Sequence, residues 1–149
     1  MKETLPVRKK NRLKYYDYTT EGMYFITICT KNKIEILGKI INNNIELSKE
    51  GKIAKKYIEQ IEEVYEKTYI DEYIIMPNHI HLIINIKTQA NLYIPRIIKQ
   101  YKMSVSKDLG CSVWQKSYHD HIIRNEKDYY MIKKYIQNNA INWKQDKYF

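Results

Sequence analysis

Two hydrophobic periods alternate along this chain, and together they lay out its elements. After a turn at Glu21-Gly22, residues 23–30 (MYFITICT) alternate like a half-buried strand. From Ser48 to Tyr65 the apolar positions Ile53, Tyr57, Ile58, Ile61, Val64 and Tyr65 recur at helical spacing. Ser48 is placed to cap that helix, and Gly51 weakens its first turn. YIDEYIIM (69–76) and HIHLIINI (79–86) read as strands joined by a turn at Pro77-Asn78, hence a hairpin. A second helix begins near Pro95, since proline suits a first helical turn, and stops at Gly110. Residues 112–125 (SVWQKSYHDHIIRN) form a loop into a last strand, and 126–143 form a third helix. The span 31–47, around Gly38 and the run Asn42-Asn43-Asn44, offers only loop and short extended pieces.

Strand, helix, strand, strand, helix, strand, then an extra helix is the order of a ferredoxin-like α+β fold. Such a fold has one antiparallel sheet with helices on one face. Its other face is open to a ligand, as in RNA-recognition (RRM-like) modules. The 149 residues make one domain, with a basic arm over 1–15 and the extra C-terminal helix over 126–143.

Charge narrows the partner. Lys plus Arg is 26 and Asp plus Glu is 17, a formal +9 that points first to nucleic acid. Arg8, Lys9, Lys10, Arg12 and Lys14 lie in the arm, Lys99 and Lys102 on the second helix, and Arg124, Lys133 and Lys134 around the third. These are the candidate phosphate contacts, which hold a backbone without reading its sequence. No apolar run approaches the roughly 18 residues of a membrane span, and Met1–Tyr16 lacks the apolar core of a signal peptide. No membrane partner and a cytoplasmic location are therefore expected. Cys29 and Cys111 lie far apart and read as reduced, structural thiols. The 15 tyrosines against 2 phenylalanines reflect low-GC coding in bulk, with some free to stack on bases.

The four histidines form two pairs. His79 and His81 project from one face of a strand while Ile80 points into the core, so two imidazoles can converge on one metal ion. Alone, such a pair is more often the polar face of an edge strand. His119 and His121 flank Asp120 in a segment less clearly extended, and an Asp120–His121 hydrogen bond that positions a loop explains them as well. They rank second. Histidine-triad nucleotide hydrolases need a third alternating histidine, and Ile83 stands there.

Four blocks carry a resemblance: YDYTTEGMYFITICT (16–30), DEYIIMPNHIHLII (71–84), VWQKSYHDHIIRNEKDY (113–129) and YIQNNAINW (135–143). In this order they resemble the single-tyrosine HUH transposases, which include small insertion-sequence transposases and REP-associated tyrosine transposases. The resemblance implies a ferredoxin-like fold that cleaves and rejoins single-stranded DNA beside a hairpin, the chemistry of DNA transposition. It implies a divalent metal, Mg²⁺ or Mn²⁺, held by His79, His81 and Asn139. It also implies that Tyr135, opening a Y-I-x-x-N-P motif, attacks the phosphorus to leave a 5′-phosphotyrosine link and a free 3′-OH. The chain departs at Ala140, where the family commonly has proline. Insertion-sequence relatives act as homodimers that exchange tyrosine helices, and REP-associated relatives also act as monomers; a homodimer is possible here.

The residues themselves agree with that assignment: Tyr135 and Asn139, four apart, share a helix side next to the seam Ile132, Ile136 and Trp143. Two other readings stand beside the transposase. A non-catalytic nucleic-acid-binding module would bind without cleaving, and a phosphodiesterase of small nucleotides would hydrolyse without a covalent adduct.

Overall fold

The computed structural model describes residues 22–87 and 94–145. Their main sheet has four antiparallel strands in the order β4-β5-β1-β6: Thr68–Met76, His79–Ile86, Gly22–Cys29 and His119–Ile123. Helix α1 (Lys49–Val64) packs over β4, and α2 (Ile94–Leu109) lies beside α1 on the same face. This is the expected ferredoxin-like α+β arrangement. The basic arm, with Arg8, Lys9, Lys10, Arg12 and Lys14, lies outside the described residues.

Alternation decides which side chains enter the core. Tyr24, Ile26 and Ile28 of β1 and Ile80, Leu82, Ile84 and Ile86 of β5 turn to α1 and α2 and are buried there. They meet Ala54, Ile58 and Ile61 of α1 and Ile94, Ile97, Ile98, Tyr101 and Val105 of α2. Each such aliphatic contributes about 1.5–3 kcal/mol when fully buried, so β5 is a rigid platform for its other face. The Pro77-Asn78 turn is equally fixed. Thr30 donates from its backbone nitrogen to the Asn78 carbonyl at 3.0 Å, and Leu37 donates to the Pro77 carbonyl at 3.0 Å.

Helix ends follow local chemistry. The Ser48 hydroxyl accepts the Gly51 amide at 3.0 Å, the cap read from the sequence. Gly110 follows α2 at φ +82, and its amide reaches the Ser106 carbonyl at 2.9 Å. Gly51 is required by packing: a Cβ there would collide with the Leu37 carbonyl oxygen. Gly51→Ala gains helix propensity of about 1 kcal/mol but forces two backbone segments apart. Overpacking costs about 1–3 kcal/mol, so the expected net result is a lower melting temperature, checked by a thermal melt. A higher one would mean that the Leu37 segment yields freely.

The short extended pieces expected within 31–47 pair as a second, two-stranded sheet, β2 (Gly38–Ile41) and β3 (Asn44–Leu47), with loop before it. Asn42 and Asn43 turn it with φ of 52 and 63, the left-handed pair that a tight hairpin uses and asparagine tolerates. One other expectation needs correction: the C-terminal helix, expected over 126–143, is α3, Glu126–Gln137. Asn138 leaves the helix at φ −99, ψ 7, and 138–142 turn back before a short 3-10 turn at Trp143–Gln145. Two consecutive asparagines favour local turns, and burial of Ala140 and Trp143 against Met76 gives that turn an apolar anchor.

Candidate active site

The second face of the sheet is not left open as expected. On β5 it presents His79, His81 and Ile83, all fully buried or nearly so, with His79 at 0% and His81 at 1% exposure. Opposite them on β1 lie Cys29, Thr27 and Phe25. The α3 helix and the turn after it cover this row.

Both imidazoles are held through Nδ1. His79 Nδ1 donates to the Asn78 side-chain oxygen at 2.8 Å, and His81 Nδ1 is hydrogen-bonded to the Thr27 hydroxyl at 2.8 Å. That turns Nε2 of each ring to where a metal ion could be held, and the rings stand with centroids 4.5 Å apart. Tyr135 meets His81 ring to ring at 5.2 Å and Phe25 at 6.3 Å. Trp143 lies stacked near His79 at 6.2 Å. Asn139 is buried in the turn between these two aromatic anchors. It lies past the end of α3, so the expected i, i+4 helical pairing with Tyr135 is replaced by a helix-to-turn junction.

Among the described residues, no group of three or more His, Cys, Asp or Glu side chains is placed to hold a metal. A divalent ion would take the two oriented imidazoles and complete its shell with an amide, water or phosphate. Two nitrogens and open positions fit a catalytic rather than a closed structural site.

The second histidine pair splits. His119 and His121 share the His81 face in register with Thr27 and Phe25, and Asp120 points to the other face. His121 Nε2 bonds Asp128 Oδ2 of α3 at 2.7 Å, in place of the expected Asp120 partner. His119 is exposed on the edge strand. His121 therefore helps seat α3 at its first turn.

The family described as "Transposase IS200 like" matches residues 18–139, most of the chain, a span that includes His79, His81, Tyr135 and Asn139. The chain belongs to the IS200-like transposase family. An uncharacterised protein of Haemophilus influenzae is 40% identical to this IS200-like transposase, covering 95% of this chain and 93% of that protein. A second H. influenzae protein, described as a candidate REP-associated tyrosine transposase, is 24% identical over 84% of this chain and 73% of its own. The solved structure of a REP-associated tyrosine transposase bound to a REP hairpin superposes with a TM-score of 0.71. It is 19% identical, covers 91% of this chain and 77% of its own length, and so bears on the fold.

Within this transposase, Tyr73, Tyr101 and Tyr129 hold their phenolic protons more tightly than usual. Burial, with a hydrogen bond to Glu59, pushes Tyr73 up to about 12, and burial raises Tyr101 well above the ordinary value near 10. Tyr129 is raised chiefly by its hydrogen bond to Asp71, which accepts its hydroxyl at 2.7 Å. Tyr135 is 39% exposed beside the imidazoles.

The nominated lysines divide in the same way. Lys102 Nζ donates to the carbonyls of Gln115, Lys116 and Ser117 at 2.7, 3.3 and 3.1 Å, which spends its three donors on the chain itself. Lys133 donates to the Tyr129 hydroxyl at 3.3 Å. Lys99, Arg124 and Lys134 are exposed. Sequence reading missed Thr27 and Asn78 as orienting partners. Asn78 precedes the histidine directly and was open to notice, whereas Thr27 stands 54 residues from His81. Among the described residues no helix is long and apolar enough to cross a membrane.

Proposed function

We propose that this transposase cleaves and rejoins single-stranded DNA beside a hairpin, through a covalent link to Tyr135. The observation that carries this reading is the contact of the Tyr135 ring with His81, in a row that also holds His79. Tyr135 Oη bonds to the scissile phosphorus as the P–O3′ bond breaks. The phenolic proton passes to solvent, and the departing 3′ oxygen takes one up. One phosphodiester replaces another, so the link stores the bond energy and a second 3′-OH reverses the step.

His79, His81 and Asn139 are the residues that would hold Mg²⁺ or Mn²⁺. Bound there, the ion would stabilise the charge that builds on the phosphate oxygens. Phe25 and His81 orient the nucleophile, and Thr27 and Asn78 orient the histidines. Tyr135 lies against His81 of its own chain, the arrangement in which the nucleophile acts within one chain. The domain reading, one unit over 1–149 in a cytoplasmic enzyme, accompanies this proposal.

The test uses end-labelled single-stranded hairpin DNA, Mn²⁺ and a denaturing gel. A labelled band at the mass of the protein is expected. Binding with no adduct and no metal effect would favour the non-catalytic module, and hydrolysis without adduct the phosphodiesterase. The orienting role of Thr27 has its own readout. Thr27→Val keeps the shape and removes the hydroxyl, and such partners are worth about 10–100-fold in metal affinity. Calorimetric Mn²⁺ titration should show that loss while metal-free hairpin binding is unchanged. Equal Mn²⁺ affinity would remove the role.

A further inference from the structure

On the helix side of the sheet, α2 and residues 112–118 diverge to leave an open groove of about 590 Å³. Its floor is carbon from Pro95, Ile98, Met103 and Trp114, and Lys99 and Lys116 stand on its rim. No Asp or Glu is among the described residues that line it. The volume lies in the range of small-ligand clefts, roughly 300–1,000 Å³.

The groove is built rather than incidental. The three carbonyls of 115–117 converge on Lys102 Nζ, which fixes the loop that forms one wall. Trp114 is tied to the end of β1 by a bridge to Thr30, and Gln115 donates to the Cys29 carbonyl at 2.9 Å. The indole nitrogen of Trp114, buried in this wall, makes no hydrogen bond among the described residues. Because Lys102 is consumed inside, the charge left to an incoming anion is that of Lys99 and Lys116.

The groove also adjoins the candidate active site around one sheet edge. The wall segment runs through Tyr118, buried on the helix side, directly into His119, which pairs with Thr27 on the His81 face. Strands lie about 4.8 Å apart, so His119 is about 10 Å from His81, two strands away. A single strand of DNA leaving the site over β6 reaches the groove within a few nucleotides.

We infer that this groove seats the single-stranded flank of the DNA hairpin, with a base against the apolar floor and phosphates on Lys99 and Lys116. The occupant must be anionic and carry flat apolar rings, and unpaired nucleotides satisfy both demands. The inference rests on the DNA reading above, so its test is made without metal or turnover.

Fluorescence anisotropy in EDTA compares one hairpin with and without single-stranded flanks, using wild type and the K99A/K116A double variant. Both lysines are exposed, so the fold should persist, and a thermal melt checks it. The flank is expected to tighten wild-type binding about tenfold, with most of that gain lost in the double variant and the flankless hairpin unaffected. The log–log salt slope for the flanked probe should fall by about 1.4, two contacts at roughly 0.7 each. A flank that adds no affinity, or a gain that survives in the double variant, overturns the groove assignment alone. Equal weakening of both probes assigns the lysines to the duplex and overturns it too. Failure of wild type to bind either probe would instead remove the DNA reading, and the groove assignment with it.

Discussion

Tyr135→Phe is expected to fold, to bind hairpin DNA with wild-type affinity, and to form no protein–DNA adduct. The substitution removes one oxygen and keeps the ring that packs against His81 and Phe25 at centroid distances of 5.2 and 6.3 Å. The side chain is partly exposed, so little stability depends on the hydroxyl. Covalent catalysis depends on it entirely. Tyr129→Phe is the informative control, since that hydroxyl is committed to Asp71 and its proton is held more tightly than usual. It should keep forming the adduct, with a modest loss of stability from the broken tie to β4. Tyr130→Phe, exposed on the same helix, should stay active as well. The measurement is the labelled adduct on a denaturing gel. Its persistence in Tyr135→Phe and loss in either control would move the nucleophile.

His81→Ala should be the more disruptive change, because it acts on chemistry and on packing. Loss of one preorganised group at a reacting phosphate costs about 10²–10³ in rate, and the Tyr135 ring also loses a wall. The Thr27 hydroxyl keeps no imidazole partner, and leaving a buried group unsatisfied costs about 1–3 kcal/mol. A lower melting temperature, weaker Mn²⁺ binding and near-absent cleavage are expected, with metal-free hairpin binding retained. His119→Ala should be milder, since that ring is exposed on the edge strand. A dead His119→Ala with an active His81→Ala would show that the pair was wrongly chosen.

How far the sequence could be read differs element by element. The strand His79–Ile86 was legible to the residue, because turn residues bound it and its aliphatics alternate. The Ser48 cap and the Gly110 stop were legible because each rests on contacts within one turn. The short extended pieces at 38–47 were legible but their pairing was not: the turn is Asn-Asn rather than a glycine pair, and the strands are only 4 residues long. The end of α3 was overrun, since the apolar spacing of Ile136, Ala140 and Trp143 continues helically although the backbone turns at Asn138. Lys102 looked like any basic surface residue, and only the folded loop shows that three carbonyls use it.

The order of the main-sheet strands and the helices, the shared face of His79 and His81, the basic charge and the family motifs were all determined by the sequence alone. Each depends on neighbours within a few positions or on composition. The tertiary structure decided that both imidazoles are buried, that Thr27 and Asn78 hold them, that His121 serves α3, and which described tyrosine reaches the pair. Those facts depend on strand register and on where α3 crosses the sheet. Register is a property of segments brought together across 54 residues, and no local period along the chain encodes it.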